Sequence, residues 1–147
     1  MRIDVKHLQT ATTLRPYRVP EGWKFLGNGD SREAYLGPDR MVYKVPRLDF
    51  EQSEQEHARV WRIRRTKLPE WLVIPKVYFH SPTGISVMEY MEGKMPGWCW
   101  GECSCGTPVC WLKRLTWIEA NLSVYDVHTE NVLILADGRI AIIDLGI

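Results

Sequence analysis

The sequence predicts an α+β fold: a five-stranded antiparallel sheet with one helix, followed by a second helix, a loop and a β-hairpin. Three observations predict it. Short apolar runs broken by turn residues fill positions 22–91, the period becomes helical over 51–65, and two short apolar runs flank an Asp-Gly turn near the end. Residues 1–20 carry no clear period and end at Val19-Pro20, which reads as an N-terminal arm or a short lead-in element. The runs 23–26, 34–36 and 41–45 are separated by Gly27-Asn28-Gly29-Asp30 and Gly37-Pro38-Asp39-Arg40, the pattern of a three-stranded meander. Over 51–65, Glu56, Val60 and Ile63 share one face at i, i+4, i+7, with His57, Trp61 and Arg64 as the neighbouring stripe. Acidic residues lead this helix and basic ones trail it, which complements a helix dipole, and Asp49 is placed to cap it. The runs 73–79 and 84–91 read as two further strands around Ser81-Pro82-Thr83-Gly84. A cysteine-rich loop covers 97–110, and Trp111, Leu115, Ile118 and Leu122 mark an amphipathic helix. The strands 132–135 and 140–143 are joined by the turn Ala136-Asp137-Gly138-Arg139.

Composition sets bounds on function. A chain of 147 residues with 45% hydrophobic residues, seven Trp, six Tyr and three Phe has enough apolar surface for a packed core, which argues against disorder. Net charge is +1, without the basic excess of a dedicated nucleic-acid or membrane-surface protein. No apolar run approaches the roughly 18 residues of a membrane span, and the charged start lacks a secretory stretch, so the expected compartment is the cytoplasm.

The segment with most chemistry is Tyr125-Asp126-Val127-His128-Thr129-Glu130-Asn131, followed thirteen residues later by Asp144-Leu145-Gly146. Phosphoryl transfer from a metal nucleotide needs one carboxylate to orient the acceptor hydroxyl, oxygen ligands for Mg²⁺, and a lysine on the phosphate oxygens. Asp126 and Asn131, five apart on a loop, suit the roles of base and metal ligand. Asp144, across the hairpin, suits a second metal ligand.

On these residues the sequence resembles the protein-kinase-like superfamily. Its Asp-x-His-x-x-Asn loop is similar to that of aminoglycoside phosphotransferases and small kinase-like proteins of phages and bacteria, and Asp144-Leu145-Gly146 stands where the family has D-F-G. The resemblance covers about residues 22–147 and implies a minimal kinase-like fold. Residues 21–91 form an N-lobe and hinge, and 92–147 form a truncated C-lobe with a helix, catalytic loop and β-hairpin. It implies a Gly-rich loop at Gly27, Asn28 and Gly29 whose backbone approaches the nucleotide phosphates, with Arg32 where the third glycine would be. It implies that Lys44 binds phosphate and pairs with Glu56, or else Glu54, on the 51–65 helix. It places Met88 as gatekeeper, with the Glu89 carbonyl and the Met91 N–H at the adenine edge. His128 then reads as structural or phosphate-adjacent rather than as a zinc ligand or base. Mg-ATP is the implied cofactor, held by Asn131 and Asp144. The sequence departs from the family at Val124-Tyr125, where protein kinases have His-Arg, which argues against control by a phosphorylated activation loop. The activation segment and later helices are also missing from the sequence.

All four cysteines, Cys99, Cys103, Cys105 and Cys110, fall within twelve residues. Four soft ligands on one tight loop suit tetrahedral Zn²⁺, and a metal would replace core lost with the shortened C-lobe. The other reading is four reduced thiols in a Trp-rich core.

The leading expectation is an ATP-dependent phosphotransferase, a minimal Ser/Thr-type kinase moving the γ-phosphoryl group to a protein hydroxyl. The alternatives are a nucleotide-binding interaction or inhibitor module without phosphotransfer, and a zinc-stapled binding domain without a nucleotide site. The expected partners are ATP, a protein substrate or target, and a second copy packed on the apolar face of the 109–121 helix.

Overall fold

The computed structural model describes residues 3–28, 32–46, 58, 60–63, 67–81, 83–95, 99–100, 102–103, 111–122 and 132–143. The chain divides into two compact units. One is built from 1–58 and 76–90 with residue 146, the other from 59–75 and 91–145 with residue 147.

The lead-in segment contains a helix, α1 (Val5–Ala11), whose N-cap Asp4 accepts from the Lys6 N–H at 2.8 Å. Three threonines end it: the hydroxyls of Thr10, Thr12 and Thr13 turn back to the carbonyls of Lys6, Gln9 and Thr10, which competes with further helical turns. Ala11 and Leu14 are fully buried, so this segment contributes directly to the first unit's core. Two turns are too few to show a period, which is why the sequence leaves this helix unseen.

The meander folds as expected into β1 (Lys24–Asn28), β2 (Arg32–Leu36) and β3 (Met41–Pro46). The predicted strand 73–79 is in fact two. Leu72–Val73 is β4 and Val77–His80 is β5, and they lie in different sheets. Pro75 stands between them, and a residue without an N–H cannot continue a ladder. With β6 (Ser86–Glu89), the first unit closes as a five-stranded sheet in the order β1-β2-β3-β6-β5, every pairing antiparallel.

Register divides this sheet into two faces. Phe25, Tyr35, Tyr43, Val87 and Phe79 align in one cross-strand row. This row packs with Ala11, Leu14, Met41, Val45 and Ile85 as the hydrophobic core, so α1 and its continuation cover that face. Polar bonds fasten the cover. Tyr43 Oη donates to Asp39 Oδ2 at 2.6 Å, and the His7 ring Nδ1 meets the same oxygen at 3.2 Å. Trp23 packs edgewise on both rings, with centroids 5.8 Å from His7 and 4.9 Å from Tyr43.

Burial first, and then the Asp39 bond, push the Tyr43 phenol well above its ordinary value of 10.0. A folded pKa raised above the unfolded one gives stability that is complete below about pH 10 and lost as pH rises beyond it. Alkaline unfolding of the chain is therefore expected to set in above about pH 10. Tyr43→Phe, followed by near-UV circular dichroism, should flatten that part of the profile.

In the second unit, β9 (Val132–Ile134) and β10 (Ile140–Ile142) form the predicted hairpin. Gly138 takes φ 87, and its N–H donates to the Leu135 carbonyl at 2.9 Å, the conformation a tight Asp-Gly turn requires. The Asp137 carboxyl is held below the usual carboxylate range, chiefly by the Arg139 backbone N–H and then by its guanidinium. β4 adds a third strand, parallel to β10, with Ile140 opposite Leu72. The helix predicted from 111 is α2 (Trp111–Leu122). Its Ile118 and Leu122 are buried within the chain, so these two side chains are not open to a second copy. Trp71 packs edgewise on Trp117 of α2 at 5.7 Å and carries the Arg114 guanidinium over its ring at 4.8 Å.

Residues 58 and 60–63 are helical, with Val60 and Ile63 buried and Trp61 exposed, which is the face predicted for them. The cysteine segment is not all loop. Cys99–Trp100 (β7) and Glu102–Cys103 (β8) pair as a small antiparallel hairpin. Among the described residues, no helix is long and apolar enough to cross a membrane.

Candidate functional site

The sheet face opposite the aromatic core carries two of the predicted phosphate-side residues, Gly27 and Lys44. Gly27, Ala34, Lys44, Ser86 and His80 align in a cross-strand row, and directly opposite residues share a face. Two positions along, Val42 pairs with Met88, so the predicted gatekeeper lies on the same face as Lys44.

Lys44 is distinguished by burial. Its side chain is only 8% exposed, whereas every other lysine among the described residues is exposed. Burying an ammonium is costly without compensating groups, so this is not the usual solvated strand lysine. The fully buried Ser86 beside it is a polar position the sequence reading passed over. Its signal was a lone hydroxyl within the apolar run Ile85-Ser86-Val87-Met88. Arg32, at the place of the missing third glycine, is buried as well, so that position is cationic and lies inside the fold.

Gly27 sits at a β-bulge in β1, and a Cβ built there would meet nothing within 4 Å. The space beside the Gly27 Cα is open. Asn28 is the register partner of Glu33, while Gly29 lies outside the described residues.

Glu89 ends β6 with Met41 as its β3 partner. Its N–H donates to the Lys76 carbonyl at 2.8 Å, and its carboxylate Oε1 accepts from the Lys76 N–H at 3.1 Å. Met91 follows two residues on, outside any strand among the described residues.

The predicted Glu56, Asp126, Asn131 and Asp144 lie outside the described residues, as do the fallback Glu54 and His128. What is described is the hairpin between two of them. Its last register pair is Val132 with Ile142. Lys94 bridges to Ile134 by a reciprocal pair of backbone bonds, 3.1 and 2.8 Å. This ties residue 94 to the hairpin. Cys99 and Cys103 are direct register partners across β7 and β8, while Cys105 and Cys110 lie outside the described residues. Among the described residues, no group of three or more His, Cys, Asp or Glu is placed to hold a metal.

No protein-family description matches the chain, and no curated protein is similar to it at a meaningful level. Solved structures similar to it include the gentamicin complex of APH(2″)-IIa, at 22% identity and a TM-score of 0.44, covering 64% of this chain and 30% of that one. The ADP-bound aminoglycoside phosphotransferase APH(2″)-Ib is 22% identical with a TM-score of 0.43, covering 63% and 29%. The GDP and kanamycin complex of APH(2″)-IIIa is 15% identical with a TM-score of 0.43, covering 64% and 33%. The chain thus spans about a third of the length of the structures it matches.

Proposed function

We propose that this chain is the nucleotide-holding part of an ATP-dependent phosphotransferase of the kinase-like superfamily. The observation that carries this reading is Lys44, a buried ammonium on the sheet face that also bears Gly27 and Met88. These residues stand in the family's chain order with Glu56, Asp126, Asn131 and Asp144. In this reading the Gly27–Gly29 turn offers backbone N–H groups to phosphate oxygens, and Lys44 steadies those oxygens. The backbone at Glu89 and Met91 receives the base edge. Asp126 orients the acceptor hydroxyl and accepts its proton. Asn131 and Asp144 supply hard oxygen donors, the set that suits Mg²⁺. When bound, Mg²⁺ neutralises phosphate charge during transfer. Most of the rate then comes from positioning and fixed charge.

The acceptor in this reading is a protein hydroxyl. The aminoglycosides bound by the similar structures are the contrasting acceptors. Structural zinc on Cys99, Cys103, Cys105 and Cys110 belongs to the same reading, supported by the register pairing of the first two. Metal analysis of the purified chain measures it directly.

The test is transfer of label from γ-labelled ATP with Mg²⁺, comparing wild type with Asp126→Asn. It is run on the chain alone, on a host lysate, and on gentamicin and kanamycin. Labelled protein with wild type and none with Asp126→Asn is the expected result. Labelled aminoglycoside instead would move the acceptor to a small molecule. No label in any arm would defeat phosphotransfer.

A further inference from the structure

We propose that Arg40 is a positioning residue for the nucleotide, its guanidinium packed on the Tyr90 ring so as to fix the backbone of 89–91. This rests on the nucleotide-binding reading above and adds to it a residue to which the family resemblance gave no role.

The Arg40 guanidinium carbon lies 5.1 Å from the Tyr90 ring centroid, within cation–π range. Arg40 is also the only non-glycine residue with positive φ among the described residues, at 65°. A side chain in the left-handed region is strained, and glycine or asparagine would occupy the position more easily. The turn itself needs only the backbone there: the Arg40 N–H donates to the Gly37 carbonyl at 3.0 Å, and Gly37 N–H donates to Met41 at 2.9 Å. Strain retained at a position where an easier residue would serve points to a use for the side chain, and the Tyr90 ring is one of its contacts.

The location gives that contact its consequence. Arg40 directly precedes Met41, whose register partner is Glu89, the residue before Tyr90. On the opposite edge of β6, Lys76 holds Glu89 through both its backbone and its carboxylate. The end of β6 is therefore gripped by Arg40, just before β3, and by Lys76, just before β5. A carbonyl and an N–H that must meet the edge of a flat base together need fixed orientation. Ordering them before the ligand arrives removes that entropy cost from binding.

The experiment uses the full chain as wild type, Arg40→Gly, Tyr90→Leu and the double variant. It measures Mg-ATP affinity by calorimetry, Tm, and amide hydrogen exchange over 89–91. Arg40→Gly should keep or raise Tm, because backbone strain is relieved. It should weaken Mg-ATP binding about two- to five-fold, the equivalent of an exposed cation–π contact, and speed exchange at 90 and 91. Tyr90→Leu should cause the same loss of affinity, and the double variant should add nothing to it. A merely structural contact predicts the opposite pattern, a lower Tm with affinity per folded molecule unchanged. That result, or unchanged affinity and exchange, overturns the clamp while nucleotide binding by wild type still stands. A wild-type chain that binds no Mg-ATP overturns both.

Discussion

Lys44→Met is expected to lower phosphotransfer by about two to three orders of magnitude, the usual loss when one fixed donor to developing charge is removed. The reasoning starts from burial. A strand lysine with no special role sends its ammonium into water, as the other lysines among the described residues do. Lys44 instead is 8% exposed on the face shared with Gly27, Ala34 and Ser86. Methionine keeps much of the unbranched stem and its packing while removing the charge. Arg40-type contacts are untouched by this change, so base recognition should survive better than transfer. The measurement is the rate of label transfer per folded molecule beside a separate Mg-ATP Kd. Lys44→Arg is the companion variant: it retains charge but replaces a compact ammonium with a planar fork, so it should recover only part of the rate. A Lys44→Met chain with wild-type turnover would remove the lysine from the mechanism.

Gly93→Ala is expected to destabilise the second unit by about 3 kcal/mol, from steric strain together with weakened backbone bonds. A Cβ on Gly93 would lie 2.7 Å from the Ile134 carbonyl oxygen and 3.1 Å from its carbon. Both are backbone atoms of a paired strand, which cannot swing aside as a side-chain tip can. To make room, residue 93 must lift away from the hairpin, and that stretches the Lys94–Ile134 pair of hydrogen bonds. Thermal unfolding should register a drop of roughly 10 °C for a chain of this size. An unchanged Tm would mean that the hairpin and the 92–94 stretch are not held together in solution.

Where the pattern is local, the sequence and the structure agree. The meander from β1 to β3, the Asp-Gly hairpin of β9 and β10, the helix from Trp111 and the inward face of Val60 and Ile63 all follow from short-range periodicity and turn chemistry. Lys44 was identified by resemblance, while its burial is a property that only the packed sheet reveals. The misreadings are also physical. The run 73–79 is apolar apart from Lys76 and does not show that its two halves join different sheets; only the weight of Pro75 could have shown the break. α1 is too short for periodicity, and its threonines read as loop. The hairpin of Cys99–Trp100 with Glu102–Cys103 has strands of two residues each, below any pattern length.

By itself the sequence determined the kinds of elements, their order and the chemical inventory: the paired carboxylate and amide, the glycine turn, the strand lysine and the cysteine cluster. Each is set by neighbours a few residues apart, through dihedral preference and hydrophobic alternation. The tertiary structure alone decided which faces meet. It set α1 against the aromatic row, aligned Gly27 with Lys44 and Ser86 on the opposite face, laid β4 parallel to β10 across some seventy residues, and brought Arg40 onto Tyr90. Those choices depend on burying one shared set of side chains at once, a condition spread over the whole chain and visible in no single stretch of it.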